Sequence, residues 1–407
     1  MKIGLITNGF TSWGGGIDFI HHIATSVSLV NKERKESILI LPGNDFRFFL
    51  RKYLSPLKQC LKQLLQGVSP KWQLWRGFDE DYLKKNFSDL SSDCILLFSG
   101  SSLKSQLNAA VLCKPSVILP CIVPPPDNYS LPWIGYIYDF QHCYLTDFFT
   151  QSEIKVRNNS FLVMLHRANH IIVNARDVIS DAEKFFGSFP AKLHALPFSP
   201  CPQISWLEST LDVRDKYKIK KPYFMVCNQF WKHKDHVTAF RGFAEFISQG
   251  GDALLVCTGA THDSRFPEYF DELKKLILDL GMQDRIKILG HIPKNDQISL
   301  VKFTLAIVQS TLFEGGPGGG AASDAIALGI PVIASNIPVN LEINCGDVSF
   351  FTASNHNQLA VALQKRGTKL KARPSNEKLL EDGITRKRLC GEFILHIGSQ
   401  AIADFNI

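Results

Sequence analysis

Hydrophobic and polar positions alternate along the chain in a regular order. Short apolar runs, many of them ending in Gly, Asn or Ser, are followed by longer amphipathic stretches. This order is typical of repeated βαβ units, which build a parallel sheet with helices on its faces. In the first half the apolar runs predict strands at residues 2–7, 37–41, 94–99, 116–119, 134–138 and 170–173.

The same pattern begins again after a passage rich in proline and serine at residues 196–202. It predicts further strands at residues 223–227, 253–258, 286–289, 305–309 and 331–335. We therefore expect a first domain over residues 1–198 and a second domain that begins at residue 199. Two doubly wound sheets in tandem place the carboxyl ends of their strands across a cleft, where ligands bind in such folds.

Composition and charge narrow the class of protein. The 407 residues are 45% hydrophobic and 20% charged, which is ordinary for a globular protein and argues against disorder. The 45 basic residues are spread out and nearly matched by 38 acidic ones, so nucleic-acid binding is not expected. No apolar run is long enough to span a membrane, and the N-terminus resembles a first strand, so we expect a cytoplasmic protein. Ten scattered cysteines without metal-binding spacing predict reduced thiols and no metal site.

A glycine-rich segment carries the most specific chemistry of the sequence. Before a short helix predicted at residues 321–328 it contains five glycines, Gly315, Gly316, Gly318, Gly319 and Gly320. Glycines let the backbone approach a ligand, and the N–H groups at a helix start attract phosphate. Glu314 and Asp324 bracket the loop, and carboxylates at such a site are suited to sugar hydroxyls. The segment predicts a diphosphate site that needs no metal, with a tightly packed turn as the alternative.

This segment resembles the retaining family-4 glycosyltransferases of the GT-B fold. Their pattern is Ser-x-x-Glu-Gly-Phe-Gly-Leu-Pro-x-x-Glu-Ala-x-Ala-x-Gly-x-Pro-Val-Ile-Ala-Ser, and this chain matches it with Thr311 in place of the serine and with Glu314, Gly315, Ala325, Ala327, Gly329 and residues 331–335. The resemblance implies an α/β protein with two Rossmann-like, doubly wound parallel-sheet domains facing a cleft. It also implies a second domain over residues 199–388 and a final segment, 389–407, that returns to the first domain.

The resemblance assigns roles to residues of this loop. It implies that Glu314 contacts hydroxyls of the transferred sugar, that the backbone after Gly316 holds the diphosphate, and that Asp324 holds the ribose. The spacing departs from the family, because nine residues separate Glu314 from Asp324 where the family has seven between its two glutamates. Either the two extra residues bulge outward, or the ribose contact is altered.

A basic turn follows the first predicted strand of the second domain. The relatives carry Gly-Arg-Leu-x-x-x-Lys-Asn-His there, so the resemblance assigns Lys234 to the donor phosphates and puts Gln229 in the place of an arginine. Lys232 is the candidate to replace that charge, because cations that stabilise a departing diphosphate supply much of the catalysis in such a step. A solvated turn rich in Lys and His is the alternative.

The first domain contributes candidates of its own. Gly15 and Gly16 open the first predicted helix, where the resemblance places a glycine pair near the donor phosphates and the acceptor; turn geometry alone is the alternative. After the strand at 134–138, Asp139 and His142 match the family stretch that reaches the reaction centre. We take His142 as a catalytic candidate beside Glu314 and Lys234, with a structural histidine as the alternative.

Residues 46–65 combine basic and large apolar side chains at helical spacing, interrupted by Pro56. Such a segment can lie on an anionic membrane surface as a peripheral contact, whereas a helix packed in the core has a similar pattern. Both interpretations stay open.

The resemblance implies a hexosyl-type glycosyltransferase that is retaining and independent of metal, and we expect no cofactor beyond its nucleotide-sugar donor. The relatives build cell-surface polysaccharides, lipopolysaccharide and glycolipids, so the resemblance implies a glycan or a lipid-linked acceptor. Two alternatives stay open, which are a nucleotide-sugar epimerase of the same fold and a non-catalytic partner subunit that binds a nucleotide-sugar.

Overall fold

A computed structural model describes residues 1–12, 14–30, 36–65 and 79–405. These residues form two sheets in which every pairing of strands is parallel. The strands are β1 (Ile3–Ile6), β2 (Ser37–Pro42), β3 (Cys94–Ser99), β4 (Val117–Cys121), β5 (Trp133–Ile137), β6 (His170–Val173), β7 (Lys192–Ala195), β8 (Tyr223–Cys227), β9 (Leu254–Thr258), β10 (Ile286–Gly290), β11 (Ile307–Gln309), β12 (Val332–Ser335) and β13 (Val348–Phe351).

Helices connect these strands and cover both sheets. They are α1 (Gly14–Ser28), α2 (Phe46–Leu65), α3 (Glu80–Asn86), α4 (Leu103–Cys113), α5 (Gln141–Tyr144), α6 (Gln151–Arg167), α7 (Arg176–Phe186), α8 (Ile204–Glu208), α9 (His236–Ser248), α10 (Tyr269–Asp279), α11 (Lys294–Lys302), α12 (Gly319–Ala327), α13 (His356–Arg366) and α14 (Asn376–Phe405). None of the helices in the described ranges is long and apolar enough to cross a membrane.

The strand order makes each sheet doubly wound. The first sheet runs β3-β2-β1-β4-β5-β6-β7 and the second runs β10-β9-β8-β11-β12-β13. The order reverses between β1 and β4 and between β8 and β11, and ligands bind outside the carboxyl ends of the strands at such reversals. The prediction of two Rossmann-like sheets is confirmed.

Burial accounts for the two strands that the sequence pattern did not predict. Every residue of β1 and of β9 is buried, as in parallel strands that helices cover on both faces. The two strands that the pattern did not predict, β7 and β13, lie at sheet edges and are mostly exposed or half-buried. Their sequences are therefore mixed rather than continuously apolar.

The last helix, α14, runs from one domain to the other. Near its start Leu379 packs in the core of the second domain, whereas Cys390 and Ile394 pack in the core of the first domain. Gly391 sits directly on the backbone of α1, because a Cβ at this position would lie 2.0 Å from the carbonyl oxygen of Ser26. A side chain at position 391 would therefore separate α14 from α1.

Two local predictions were wrong. The helix after the glycine loop begins at Gly319 rather than at residue 321, because Gly318 adopts the left-handed conformation that starts it. Pro56 does not interrupt residues 46–65, which form the continuous helix α2. Residues 406 and 407 of the predicted final segment lie outside the described residues.

Candidate active site

A buried ion pair lies where β8 and β11 end side by side. The ammonium of Lys234 donates to Oε1 of Glu314 at 2.6 Å, and the two side chains are only 13% and 9% exposed. Gln309, the last residue of β11, also donates to Oε1 of Glu314 at 2.8 Å and in turn accepts a bond from Asn228. The carboxylate of Glu314 is therefore held in one orientation by groups at the ends of two neighbouring strands.

Backbone contacts fix the two loops that carry this pair. The N–H of Leu312 donates to the carbonyl of His233 at 2.8 Å, and the hydroxyl of Ser310 donates to the carbonyl of Lys234 at 3.0 Å. Asp235 then caps α9 with its side chain, which accepts the N–H of Thr238. These bonds join the loops after β8 and β11, so the backbone that carries Lys234 and Glu314 is fixed.

The glycine loop is packed between the domains. A Cβ at Gly315 would lie 3.0 Å from the carbonyl oxygen of Tyr138, and one at Gly316 would lie 3.1 Å from Cβ of Asn174, both in the first domain. Gly318 and Gly319 have φ values of +67° and +62°, which disfavour other residues. The glycines therefore serve close approach and backbone conformation together.

The start of α12 faces the ion pair. A Cβ at Gly319 would lie 3.0 Å from Oε2 of Glu314, whereas one at Gly320 would meet no atom within 4 Å. The N–H of Gly318 already donates to the side-chain oxygen of Asn340 at 3.0 Å. Gly318 thus forms the turn, and the helix start at Gly319 lies beside the carboxylate of Glu314.

Of the two candidates after β5, the structure brings Asp139 to the ion pair. Its carboxylate approaches Gly315, and its Oδ2 would lie 3.2 Å from a Cβ there. Burial raises the pKa of Asp139; the charge of Glu314 raises it as well, while Lys234 lowers it. An acidic group of the first domain therefore shares the electrostatic field of Lys234 and Glu314.

His142 is buried within the first domain. Its Nε2 lies 2.8 Å from Oδ1 of Asn158, and its ring packs against Phe149 and Phe161. Burial lowers the pKa of His142, and Nδ1 has no hydrogen-bond partner among the described residues. The contacts of the ring are those of a structural histidine, and they do not include Lys234 or Glu314.

Asp324 forms an ion pair that the sequence did not predict. Lys294, the first residue of α11, donates to its Oδ2 at 2.5 Å. Burial alone would lower the pKa of Lys294, but Asp324 and Asp18 of α1 outweigh it and raise the pKa. The second acid of the family pattern is therefore neutralised by a lysine, and a carboxylate of the first domain acts on the same lysine.

The basic turn after β8 spreads its side chains apart. Gln229 and Lys232 are exposed, and the ammonium of Lys232 lies 4.5 Å from the ring centre of Phe266. Arg265 is a further cation here; its guanidinium lies 5.6 Å from the ring of Trp231 and 5.7 Å from that of Phe148 in the first domain. Lys234 alone of the predicted basic residues pairs with Glu314.

The predicted glycine pair lies in the first turn of α1. Gly15 is exposed and Gly16 is buried, and both precede Asp18 on this helix.

Among the residues described here, no three His, Cys, Asp or Glu side chains are grouped so that they could hold a metal ion. Sequence reasoning missed Gln309 and Lys294, although each comes at or just after the carboxyl end of a strand, where site residues collect.

Comparison with solved structures defines the fold class as GT-B. The chain aligns over its whole length with the Anabaena protein HepE (Alr3699), solved in complex with UDP and glucose, with a TM-score of 0.58, 12% identity and 99% of that chain covered. It also aligns over 99% of its length with 99% of a sucrose-phosphate synthase from Thermosynechococcus elongatus, with a TM-score of 0.57 and 12% identity. The predicted GT-B fold is confirmed.

Sequence comparison adds the family of the second domain. Residues 210–373 match the family model described as glycosyl transferases group 1, so the chain contains a domain of this family. Over 126 residues the chain is 29% identical to the O-antigen chain mannosyltransferase RfbU of Salmonella typhimurium. That match covers 31% of this chain and 33% of the relative, so the chain matches about a third of that protein's length. The family predicted from the glycine-rich segment is confirmed for this domain.

Proposed function

We propose that the protein is a glycosyltransferase that moves a sugar from a nucleotide-sugar to a glycan or lipid-linked acceptor. The observation that carries the proposal is the buried pair of Lys234 and Glu314 beside the start of α12, in a domain of the glycosyl transferases group 1 family. A cation and helix N–H groups suit a diphosphate, and a fixed carboxylate suits sugar hydroxyls. The pair therefore offers both contacts that a nucleotide-sugar needs at its reacting end.

In the proposed step the bond between the sugar C1 and the diphosphate oxygen breaks, and a bond between C1 and an acceptor oxygen forms. Negative charge builds on the departing diphosphate, where Lys234 and the start of α12 stabilise it most. The acceptor proton passes to the departing phosphate on the same face of the sugar, which gives retention. This scheme requires no separate general base and no metal.

The first domain supplies the acceptor side of the proposed reaction. Asp139 lies against Gly315 and within the field of Glu314, so it is placed to contact the transferred sugar or the incoming acceptor. Asp324 is proposed to contact the ribose, and a bound donor must then share or displace the ammonium of Lys294. RfbU is a mannosyltransferase of O-antigen chains, which supports an acceptor used in cell-surface polysaccharide or lipopolysaccharide synthesis on the cytoplasmic side of a membrane.

A panel of nucleotide-sugars tests the proposal. We expect one donor to release its nucleoside diphosphate only when an acceptor is present, and we expect Glu314→Gln to lower that rate at least about tenfold, or ~1.4 kcal/mol of transition-state stabilisation. Glu381→Gln is the control, because Glu381 is an exposed acid of the same charge. Sugar isomerisation without transfer would contradict the proposal in favour of an epimerase. Donor binding without turnover would contradict it in favour of a non-catalytic binding subunit.

A further inference from the structure

Helix α2 turns its apolar side chains away from the protein. Phe46 is 75% exposed, Tyr53 63% and Leu61 57%, whereas Phe48 on the opposite side and Pro56 next to the exposed arc are buried. With 3.6 residues per turn, the exposed apolar residues fall within one arc of about 140°. This surface, the apolar face of α2, consists of Phe46, Phe49, Leu50, Tyr53, Leu54, Leu57, Leu61 and Leu64. A helix on a protein surface ordinarily buries its apolar stripe, so this orientation is inverted.

Positive charge accompanies the apolar face. Residues 46–65 contain five basic residues and no acidic one, in a chain whose net charge is only +7. Arg47 and Lys58 are exposed, and their positions on the helix fall next to one border of the apolar face. The surface therefore presents apolar side chains for burial with cations beside them.

The start of α2 is anchored at the carboxyl end of strand β2. Asp45 accepts the N–H of Phe48 at 2.8 Å and the N–H of Ser101 at 2.8 Å, which ties the helix to the loops after β2 and β3. Strand β2 is the neighbour of β1, whose own carboxyl end leads to Gly15 and Gly16. The apolar face of α2 thus begins at the edge of the first sheet that borders the proposed acceptor side.

We propose that the apolar face of α2 inserts into the surface of an anionic membrane, with Arg47 and Lys58 against the lipid headgroups. Apolar side chains partition into the boundary between headgroups and acyl chains, and adjacent basic residues add attraction to anionic lipid. A second copy of the chain fits less well, because a twofold interface would bring two basic helices together. Membrane binding goes beyond the transfer reaction and does not depend on it. If the protein both binds the membrane and transfers a sugar, a lipid-linked acceptor meets the protein at the edge of the first sheet nearest the cleft.

Flotation of the full chain with lipid vesicles tests the inference. Phosphatidylcholine vesicles are compared with vesicles that also contain phosphatidylglycerol, in the absence of donor and acceptor. We expect the wild type to float with the anionic vesicles, and Leu57→Gln/Leu61→Gln to lower the partition coefficient at least about tenfold, or ~1.4 kcal/mol. Leu112→Gln/Leu278→Gln is the matched control, since those leucines are 82% and 58% exposed on other helices and should leave binding unchanged.

Removing the charges of Arg47 and Lys58 provides a second, independent test in the same flotation assay. Arg47→Gln/Lys58→Gln should remove most of the preference for anionic over neutral vesicles, and added salt should do the same to the wild type. The inference is overturned when the wild type does not float, or when Leu57→Gln/Leu61→Gln floats equally well. It is also overturned when light scattering shows a wild-type dimer that this variant dissolves and neither protein floats. Floating without transfer contradicts only the proposed function, and transfer without floating contradicts only this inference.

Discussion

Replacing Lys234 by methionine removes the cation from a site that keeps two acids. Lys234 and Glu314 are almost fully buried at 2.6 Å, and Asp139 shares their field. With an effective dielectric constant of ~20, two unit charges at this distance attract each other by roughly 6 kcal/mol before desolvation is counted. Desolvation offsets most of that attraction. A large loss in the free energy of unfolding is therefore expected only when one partner is removed and the other charge is left without it.

The two single substitutions should differ in cost. Lys234→Met leaves Glu314 uncompensated beside Asp139, and we expect a loss of about 3 to 4 kcal/mol in the free energy of unfolding. Glu314→Gln leaves Lys234 within the electrostatic field of Asp139, and glutamine can still accept the bond from Gln309, so we expect about 2 kcal/mol. In the double variant both charges of the pair are removed, so it should also lose only about 2 kcal/mol, which gives a coupling of about 3 to 4 kcal/mol.

Urea unfolding at neutral pH measures this cycle, with tryptophan fluorescence and circular dichroism required to give the same transition. Lys378→Met and Glu381→Gln form the matched control, because these residues make an exposed ion pair in the same chain and should show no measurable coupling. Donor turnover should fall at least about tenfold in both single variants and in the double variant, although the double variant should be more stable than Lys234→Met. A coupling below about 0.5 kcal/mol at the buried pair would refute the reasoning.

Three further predictions concern the surrounding residues. Burial raises the pKa of Asp139 above its ordinary value of 3.8, so wild type and Asp139→Asn should be equally stable at the acid end. As pH rises through the raised pKa the wild type should lose stability relative to the variant, which a pH series of unfolding measurements checks. Gly318→Ala should cost about 2 kcal/mol of stability, because φ is +67° and the new Cβ would lie 2.6 Å from Cβ of Ala322, whereas Gly320→Ala, with open space, should cost nothing in the same melts. Asp324→Asn should raise KM for the donor about tenfold with little change in kcat in steady-state kinetics, and the reverse pattern would remove Asp324 from ribose binding.

Buried strands account for most of the agreement between sequence and fold. Predicted strands such as 170–173 and 223–227 have the observed bounds of β6 and β8, because strands in the interior of a parallel sheet require continuous apolar runs. Edge strands are under less demand, which is why β7 and β13 carry no such run. Helix α2 shows a second limit of the sequence pattern. An apolar stripe predicts that a helix has an apolar and a polar face, but it does not predict which face packs against the protein.

Motif residues could be assigned from the sequence, but their partners could not. Lys234 and Glu314 are 80 residues apart and were separate predictions, yet a single hydrogen bond joins them. The sequence spacing could not show which of Asp139 and His142 lies at the candidate site. In the structure the ring of His142 contacts Asn158 inside the first domain, whereas Asp139 lies against Gly315. Gln309 and Lys294 have no signature beyond their place at strand ends.

The two extra residues of the glycine loop illustrate what a local departure does. The longer loop still ends in a helix, but α12 begins at Gly319 and places Asp324 on its second turn, with Lys294 rather than solvent against the carboxylate. Glu314 stays next to the helix start, since a Cβ at Gly319 would nearly touch its Oε2. The start of α12 therefore lies beside Glu314 at the proposed diphosphate end, and Asp324 is paired with Lys294 at the proposed ribose end. On this argument differences in donor preference from the relatives should arise at Lys294 and Asp324, and the transfer step itself should depend on Lys234 and Glu314.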